Sequence, residues 1–301
     1  MPAQALSATL GCSHAGTHRL ARRPAARRAQ PARCVASSEP RPALSSSYAK
    51  VFVAGATGET GSAVVARLVA EGVAVRALVR DPGSAAARAL PAVVEQVQGD
   101  VSDVPGLVAA VKGCDAVICA TGVRPSLDPT GPYRVDFVGT VNLVAAGACP
   151  AWWNIAPFAW ALTPAPPLSN AASKNRVKHF TLVTSIGTDQ LLFPLNLAWG
   201  VLFWKKLGEE ELQRSGLRHT IVRPGGLRSQ GAPAPVVVKA GGSYGLPPRP
   251  APSGSILRSQ VAELCVASLT APAAANTVVE AVTDAAAPVM APDALFEAAL
   301  R

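Results

Sequence analysis

Three glycines at a spacing of three separate an apolar run from an amphipathic segment. Residues 51–55 are typical of a buried strand, and residues 61–72 carry apolar side chains at helical spacing. Glycines in such a loop permit a tight turn, close approach of backbone to a pyrophosphate and close packing of helix on strand. The N–H groups and dipole of the helix N-terminus would then attract the phosphates. The motif predicts a dinucleotide site at Gly55, Ala56, Thr57, Gly58, Glu59, Thr60 and Gly61.

The residue after the second predicted strand selects between the two nicotinamide cofactors. An acid there binds the ribose hydroxyls of NAD, whereas a cation accommodates the extra phosphate of NADP. Here the predicted strand covers residues 73–79 and is followed directly by Arg80. The guanidinium of Arg80 can form paired hydrogen bonds to a phosphate. Arg80 therefore predicts NADP(H) rather than NAD(H), with Arg76 on the same strand face as a second candidate. Arg80 as a solvated charge and Asp81 as an NAD ligand or turn residue are the alternatives.

The elements that must position this site alternate along the chain. Strand-like runs lie at residues 51–55, 73–79, 93–98, 116–120, 180–185, 219–223 and 277–282, with helical patterns at 61–72, 85–90, 104–112, 135–148, 208–215 and 259–269. This alternation predicts an α/β fold: a Rossmann-like, doubly wound parallel sheet with helices on both faces. The glycine- and proline-rich residues 224–255 are predicted as irregular and as a small C-terminal substrate region, because ligands bind outside the carboxyl ends of such strands.

The first 37 residues differ in composition from the rest. They carry six arginines and no acid, and removing them lowers the formal net charge from +9 to +3. A segment rich in Arg, Ala and Ser without acids is typical of an organelle transit peptide, and residues 33–37 look like a plastid processing site. We expect a transit peptide over 1–37, a linker over 38–49, an NAD(P)-binding domain over 50–301 and a chloroplast location. A mitochondrial location and a merely disordered tail are the alternatives.

Residues 150–173 do not fit the alternation. Phe137 to Ser173 contains no charged residue, and five prolines from Pro150 to Pro167 would break a membrane-spanning helix. This segment is either an exposed apolar loop that docks on a protein or a membrane surface, or a retained intron.

Other chemistries find little support in the sequence. A body of charge +3 without a long basic run does not predict a nucleic-acid partner. The six cysteines are widely spaced and form no CxxC pair, so neither a zinc site nor a disulfide scaffold is predicted.

Several motifs together resemble one family. Residues 55–61, 78–81, 99–100, 183–187 and 220–227 are similar to the atypical short-chain dehydrogenases of the NAD(P)-binding or NmrA-like group. The chloroplast type of this group includes the NADPH-binding part of the redox-sensing subunit of the import translocon. The resemblance covers about residues 51–282, apart from the insert. It implies an adenine pocket at Asp100 and Val101, a ribose site at Ala120, Thr121 and Gly122, and a nicotinamide end at Pro224 and Gly225.

The same resemblance locates the catalytic positions. Short-chain dehydrogenases usually use a Tyr whose pKa is lowered by a Lys four residues later, with a Ser on the preceding strand. Ser185 and Lys205 would occupy the Ser and Lys positions, which places Val201 where the Tyr should be. Lys205 could still hold the nicotinamide ribose or donate the proton itself, or be an ordinary surface lysine. Tyr133 is a further candidate acid, with aromatic packing at a loop–helix junction as its alternative.

Valine cannot transfer a proton, so two functions stay open. The first is an NADPH-dependent oxidoreductase acting on an unidentified small molecule, for example an isoprenoid, quinone or phenolic carbonyl compound. The second is a non-catalytic NADP(H)-binding redox sensor or assembly protein, which tolerates the loss of the tyrosine.

Overall fold

The fold is organised around an eight-stranded sheet. The computed structural model describes residues 44–123, 128–148, 176–190, 193–197, 199–245 and 254–300. The strands in these ranges are β1 (Lys50–Ala54), β2 (Ala74–Val79), β3 (Glu95–Gln98), β4 (Ala116–Cys119), β5 (His179–Val183), β6 (His219–Pro224), β7 (Gly226–Arg228), β8 (Val236–Ala240), β9 (Ser255–Leu257) and β10 (Thr277–Thr283). The large sheet has the order β3-β2-β1-β4-β5-β6-β10-β8 and is parallel except for β8, while β7 and β9 pair separately.

Helices connect the strands and cover both faces of the sheet. They are α1 (Leu44–Ser47), α2 (Glu59–Ala70), α3 (Ala85–Arg88), α4 (Val104–Val111), α5 (Gly139–Ala148), α6 (Val201–Arg214), α7 (Arg258–Ala267) and α8 (Pro292–Ala299). A π-helical segment, Tyr133–Val138, runs directly into α5, and short 3₁₀ turns occur at Pro194–Leu197 and Pro272–Ala274. No helix in the described ranges is both long and apolar enough to cross a bilayer.

The core lies on both sides of the sheet, because successive side chains of a strand point to opposite faces. Val51 and Val53 of β1 belong to one apolar cluster, which includes residues of α2, α7 and α8. Phe52 and Ala54 belong to the other, which includes residues of α4, α5 and α6. Strands buried on both faces read as continuous apolar runs, which is the pattern of β1 and β4.

The predicted fold class is confirmed, with three local corrections. The region 224–255 is not wholly irregular: Val236–Ala240 forms the antiparallel edge strand β8. The helix predicted over 208–215 begins earlier, at Val201, so it contains Lys205. The C-terminal helix α8 was not predicted. The predicted transit peptide and the insert 150–173 lie outside the described residues.

Candidate functional site

The predicted glycine-rich loop and the predicted segments after β2, β3, β4 and β6 lie at the carboxyl edge of the sheet, where the strand order reverses. From β1 the chain moves outward on one side through β2 and β3, and on the other through β4, β5 and β6. Such a switch point leaves a crevice outside the carboxyl ends of the strands, where α/β proteins bind ligands. The glycine-rich loop follows β1 and Gly122 follows β4, the two strands that flank this point.

The glycine-rich loop is built by close backbone contacts. Gly55 has a φ of +80°, and a Cβ on it would lie 2.6 Å from the Ala120 carbonyl oxygen. A Cβ on Gly61 would lie only 2.0 Å from the Gly55 carbonyl oxygen, so α2 can pack against the loop only with glycine there. The Gly58 N–H donates to the Gly55 carbonyl at 2.9 Å, and no side chain caps α2 at Gly58. A loop walled by backbone before an uncapped helix N-terminus fits a dinucleotide pyrophosphate.

The side chains of this loop differ in environment. Ala56 is buried, Thr57 and Thr60 are half-buried, and Glu59 is exposed at the first position of α2. The Glu59 carboxylate accepts a hydrogen bond from Ser229 and pairs with Arg258, neither of which lies near it in sequence.

Arg80 lies exposed directly after β2 at the same edge. Asp81 accepts a hydrogen bond from the Gly83 N–H at 2.9 Å, which is a turn contact. The second candidate cation, Arg76, pairs with Glu95 at 2.9 Å and donates to the Ala110 carbonyl at 2.8 Å. Glu95 is the first residue of β3 and Ala110 lies at the C-terminus of α4, so the structure does not bring Arg76 to the carboxyl edge.

The loop after β3 is fixed by its own polar contacts. Asp100 accepts hydrogen bonds from the Ser102 N–H at 2.9 Å and the Ser102 hydroxyl at 2.7 Å. Burial alone would raise the pKa of Asp100, but these bonds lower it below its ordinary value. Val101 is buried, and its carbonyl accepts from Asn142 at 2.9 Å. These contacts pre-form the loop that the family resemblance assigns to adenine.

Lys205 forms a buried ion pair beside the end of β4. Its Nζ lies 2.6 Å from Oδ1 of Asp136, and the Lys205 side chain is 14% exposed while that of Asp136 is fully buried. A Cβ on Gly122 would lie 3.7 Å from this Nζ, so the ammonium faces the backbone that follows β4. The second carboxylate oxygen, Asp136 Oδ2, is buried without a hydrogen-bond partner. Lys205 is thus a cation held at the crevice rather than a solvated surface lysine.

The other catalytic candidates show no contact with this pair among the described residues. Val201 is the first residue of α6, four positions before Lys205, so no tyrosine precedes the lysine on this face. The Ser185 hydroxyl donates to the adjacent Ile186 carbonyl at 3.2 Å. Tyr133 is 43% exposed and meets Trp204 edge to face, with ring centroids 5.0 Å apart. These contacts are those of aromatic packing and give Tyr133 no demonstrated acid–base partner.

The segment after β6 is anchored on two sides. The Pro224 carbonyl accepts from the Ile186 N–H at 3.0 Å, and the Gly225 N–H donates to the Ala281 carbonyl at 3.0 Å. A Cβ on Gly225 would lie 2.8 Å from the Gly254 carbonyl oxygen. The structure thus places Pro224 and Gly225 at the carboxyl edge, next to the end of β5.

A buried charge network fixes α6 to the sheet. Glu209 is fully buried, and its carboxylate accepts from Arg223 Nη2 at 2.6 Å and Nε at 3.0 Å and from the Thr184 hydroxyl at 2.6 Å. Arg223 also pairs with Asp189 and lies 3.6 Å from Glu280. This network clamps α6 to β5 and β6 one turn after Lys205, so it determines where Lys205 stands.

Sequence reasoning missed three of these features. Asp136 is not among the predicted site residues, although a lone acid at the start of a long uncharged stretch is a signal for a buried partner. Glu209 and its partner Arg223 are also not predicted as a pair, because the sequence indicates only that Arg223 ends a strand-like run. The sequence around Arg258 does not indicate a role at the glycine-rich loop, because the residues that Arg258 contacts there are distant in sequence.

Comparison with known proteins agrees with this geometry. The sequence pattern of the NAD(P)H-binding family matches residues 55–272. TIC 62, a chloroplast protein of Oryza sativa subsp. japonica, is 35% identical over 72% of this chain, which spans only 42% of the length of TIC 62. Sanguinarine reductase of Eschscholzia californica is 30% identical, with 75% of this chain and 85% of the reductase covered. The location of TIC 62 supports a chloroplast location for this chain.

The fold comparison gives the same architecture. The solved structure of an anaerobillin reductase from Escherichia coli O157:H7 superposes with a TM-score of 0.56 at 22% identity. The match covers 80% of this chain and all of that protein, and it shows a shared fold.

Proposed function

Because the chain belongs to the NAD(P)H-binding family, we propose that it is an NADPH-dependent oxidoreductase of the chloroplast that reduces a small carbonyl compound. The observation that carries this proposal is the Lys205–Asp136 pair beside Gly122, at the crevice where the glycine-rich loop would hold the cofactor. The reductase among its relatives adds support.

The cofactor contacts follow from the geometry above. The backbone of Gly55–Gly61 and the N-terminus of α2 would hold the pyrophosphate, and Arg80 would bind the phosphate that distinguishes NADPH from NADH. NADPH, when bound, supplies a hydride for an electrophilic carbon.

Lys205 would supply the proton in this proposal. Reduction of a carbonyl places negative charge on its oxygen, and an oriented ammonium can stabilise that charge and donate a proton to it. The Asp136 carboxylate orients the ammonium through the 2.6 Å contact, and the clamp from Glu209 to Arg223 fixes the helix that bears it. Val201 supplies no proton, so Lys205 would replace the usual tyrosine instead of assisting it.

The first test is calorimetric titration of the full chain with NADPH and with NADH, beside Arg80→Ala and the control Arg88→Ala. Arg88 is an exposed arginine on the neighbouring α3, so its removal should leave binding unchanged. Loss of charge-assisted hydrogen bonds worth roughly 1.5–3 kcal/mol should weaken NADPH binding about 10- to 100-fold in Arg80→Ala and leave NADH binding unchanged. Absence of nucleotide binding in the unaltered chain would refute the proposal.

The second test addresses chemistry through NADPH oxidation with a panel of quinones and phenolic carbonyl compounds. Lys205→Met should lower kcat by roughly 10²- to 10⁴-fold, whereas Lys206→Met, which removes a partly exposed partner of Asp189, should not. Lys205→Met leaves Asp136 buried and unpaired, so the double variant Lys205→Met/Asp136→Leu separates loss of the ammonium from misfolding. Equal activity of the Lys205→Met and Lys206→Met variants would contradict the assigned role.

A second candidate function is a non-catalytic NADP(H)-binding redox sensor, favoured by the valine at position 201. In this case the chain would bind NADPH tightly and turn over none of the panel. Its partner, a protein or membrane surface, would dock through the apolar residues 150–173. Deletion of those residues would then abolish association with chloroplast membranes while leaving NADPH affinity unchanged.

A further inference from the structure

Arg258 lies beside the glycine-rich loop although it belongs to the C-terminal third of the chain. Its Nε is 3.2 Å from Glu59 Oε2, and its Nη1 donates to the Ser229 hydroxyl at 2.7 Å. The same hydroxyl donates to Glu59, which closes a triangle of polar contacts. The Arg258 side chain is only 24% exposed, so the guanidinium is held in place and does not extend freely into solvent.

The packing of two helices brings Arg258 to this position. Glu59 is the first residue of α2 and Arg258 the first residue of α7, and the two first residues are in contact. Buried residues of both helices, among them Val64 and Val261, belong to one apolar cluster. The N-terminus of α7 therefore adjoins the N-terminus of α2, where the glycine motif predicts the pyrophosphate.

Glu59 presents an electrostatic problem at that place. A carboxylate at the first position of α2 carries the same charge as the pyrophosphate that the loop would bind, and like charges at close range repel. The Glu59 side chain is 67% exposed at this end of the helix. A cation close to both groups would offset the repulsion, and Arg258 is a cation in contact with Glu59.

We infer that Arg258 is a cofactor-binding residue that supplies the cation for the pyrophosphate, with Glu59 and Ser229 as the residues that position it. This inference rests on the proposed cofactor site. Its consequence differs from that of Arg80, because the pyrophosphate is common to NADPH and NADH whereas Arg80 addresses the extra phosphate of NADPH. Loss of Arg258 should lower the affinities for NADPH and NADH by the same factor, whereas loss of Arg80 should lower only the affinity for NADPH.

The experiment is calorimetric titration of the full chain and its variants with NADPH and NADH. Arg258→Gln should bind each nucleotide about 10- to 100-fold more weakly, the effect of losing a charge-assisted bond to phosphate. Glu59→Gln keeps an oxygen that can accept from Arg258 and Ser229 but lacks the charge, so it should bind both about two- to fivefold more tightly. Arg67→Gln and Glu71→Gln are the matched controls, because these residues form an ion pair at the other end of α2. Neither control should change either affinity.

The outcomes separate this inference from the proposed function. If the unaltered chain binds neither nucleotide, both fail. If the unaltered chain selects NADPH and Arg80→Ala abolishes the selection, but Arg258→Gln binds like Arg67→Gln, only the role of Arg258 is overturned. If Arg258→Gln does not fold, Arg258→Lys replaces it: an ammonium lacks the paired geometry of a guanidinium, so we expect a smaller weakening, equal for both nucleotides.

Discussion

Replacement of Glu209 by glutamine tests the proposal that a buried charge network clamps α6 to the sheet. Glu209 is fully buried and receives two hydrogen bonds from Arg223 and one from Thr184. Removing one partner of a buried ion pair typically costs about 3–5 kcal/mol, because the other charge stays buried without full compensation. Asp189 and Glu280 still face Arg223, and glutamine retains one acceptor oxygen. The lower end of that range, about 3 kcal/mol, is therefore expected.

The matched control for this substitution is Glu210→Gln. Glu210 is the next residue of α6 and pairs with Arg214 at 3.1 Å on the surface. Exposed pairs of this kind contribute about 0–1 kcal/mol. Urea unfolding followed by circular dichroism gives the free energy of unfolding of both variants, and an unchanged m-value shows that the denatured state is unaffected. If the two variants lie within 1 kcal/mol of each other, the clamp does not exist in solution.

Three further predictions follow from other parts of the molecule. Burial lowers the pKa of His179 to about 3. As the pH falls below the ordinary value near 6.5, the imidazole of His179 is therefore protonated in the unfolded chain but not in the folded chain. The stabilising contribution of neutral His179 is therefore greatest above that value, and urea unfolding should show a loss of about 2 kcal/mol from pH 8 to pH 5 that is smaller in His179→Val. Gly61→Ala would push a Cβ against the Gly55 carbonyl, so calorimetry should show loss of NADPH binding together with about 1–3 kcal/mol of destabilisation by urea. A fluorescent fusion of the full chain should enter chloroplasts and one that begins at residue 50 should not; import of the shorter fusion would contradict the transit-peptide assignment.

The sequence predicted those parts of the site that depend on local order. The glycine motif between β1 and α2 and the cation after β2 each follow from the residues of one loop. Their meeting at one edge follows from the rule that parallel strands end on the same side of a sheet. For this reason the fold and the candidate cofactor residues can be predicted from the sequence alone.

Contacts between distant segments could not be predicted in this way. Asp136 and Lys205 pair across the gap between the π-helical segment and α6, and Arg258 reaches Glu59 only because α7 packs on α2. The periodicity of the sequence does not predict such pairings, since each partner alone is an ordinary charged residue. Strand β8 was missed for a related reason: its short valine run is flanked by prolines and glycines, and only pairing with β10 makes it a strand.

The residues of α6 show how local sequence and distant contacts combine to place the lysine. Gly208 would destabilise a helix interior by about 1 kcal/mol relative to alanine, which makes it unfavourable on local grounds alone. A Cβ at this position would lie 3.0 Å from the Asp136 carbonyl oxygen and 3.2 Å from a methyl of Thr140. The glycine thus lets α6 approach the π-helical segment closely enough for Lys205 to reach Asp136, and Glu209, the next residue, fixes the helix to Arg223. One turn of α6 therefore supplies the cation, the close approach that pairs it and the anchor that holds it. With valine at position 201, the proposed function assigns proton donation to this lysine.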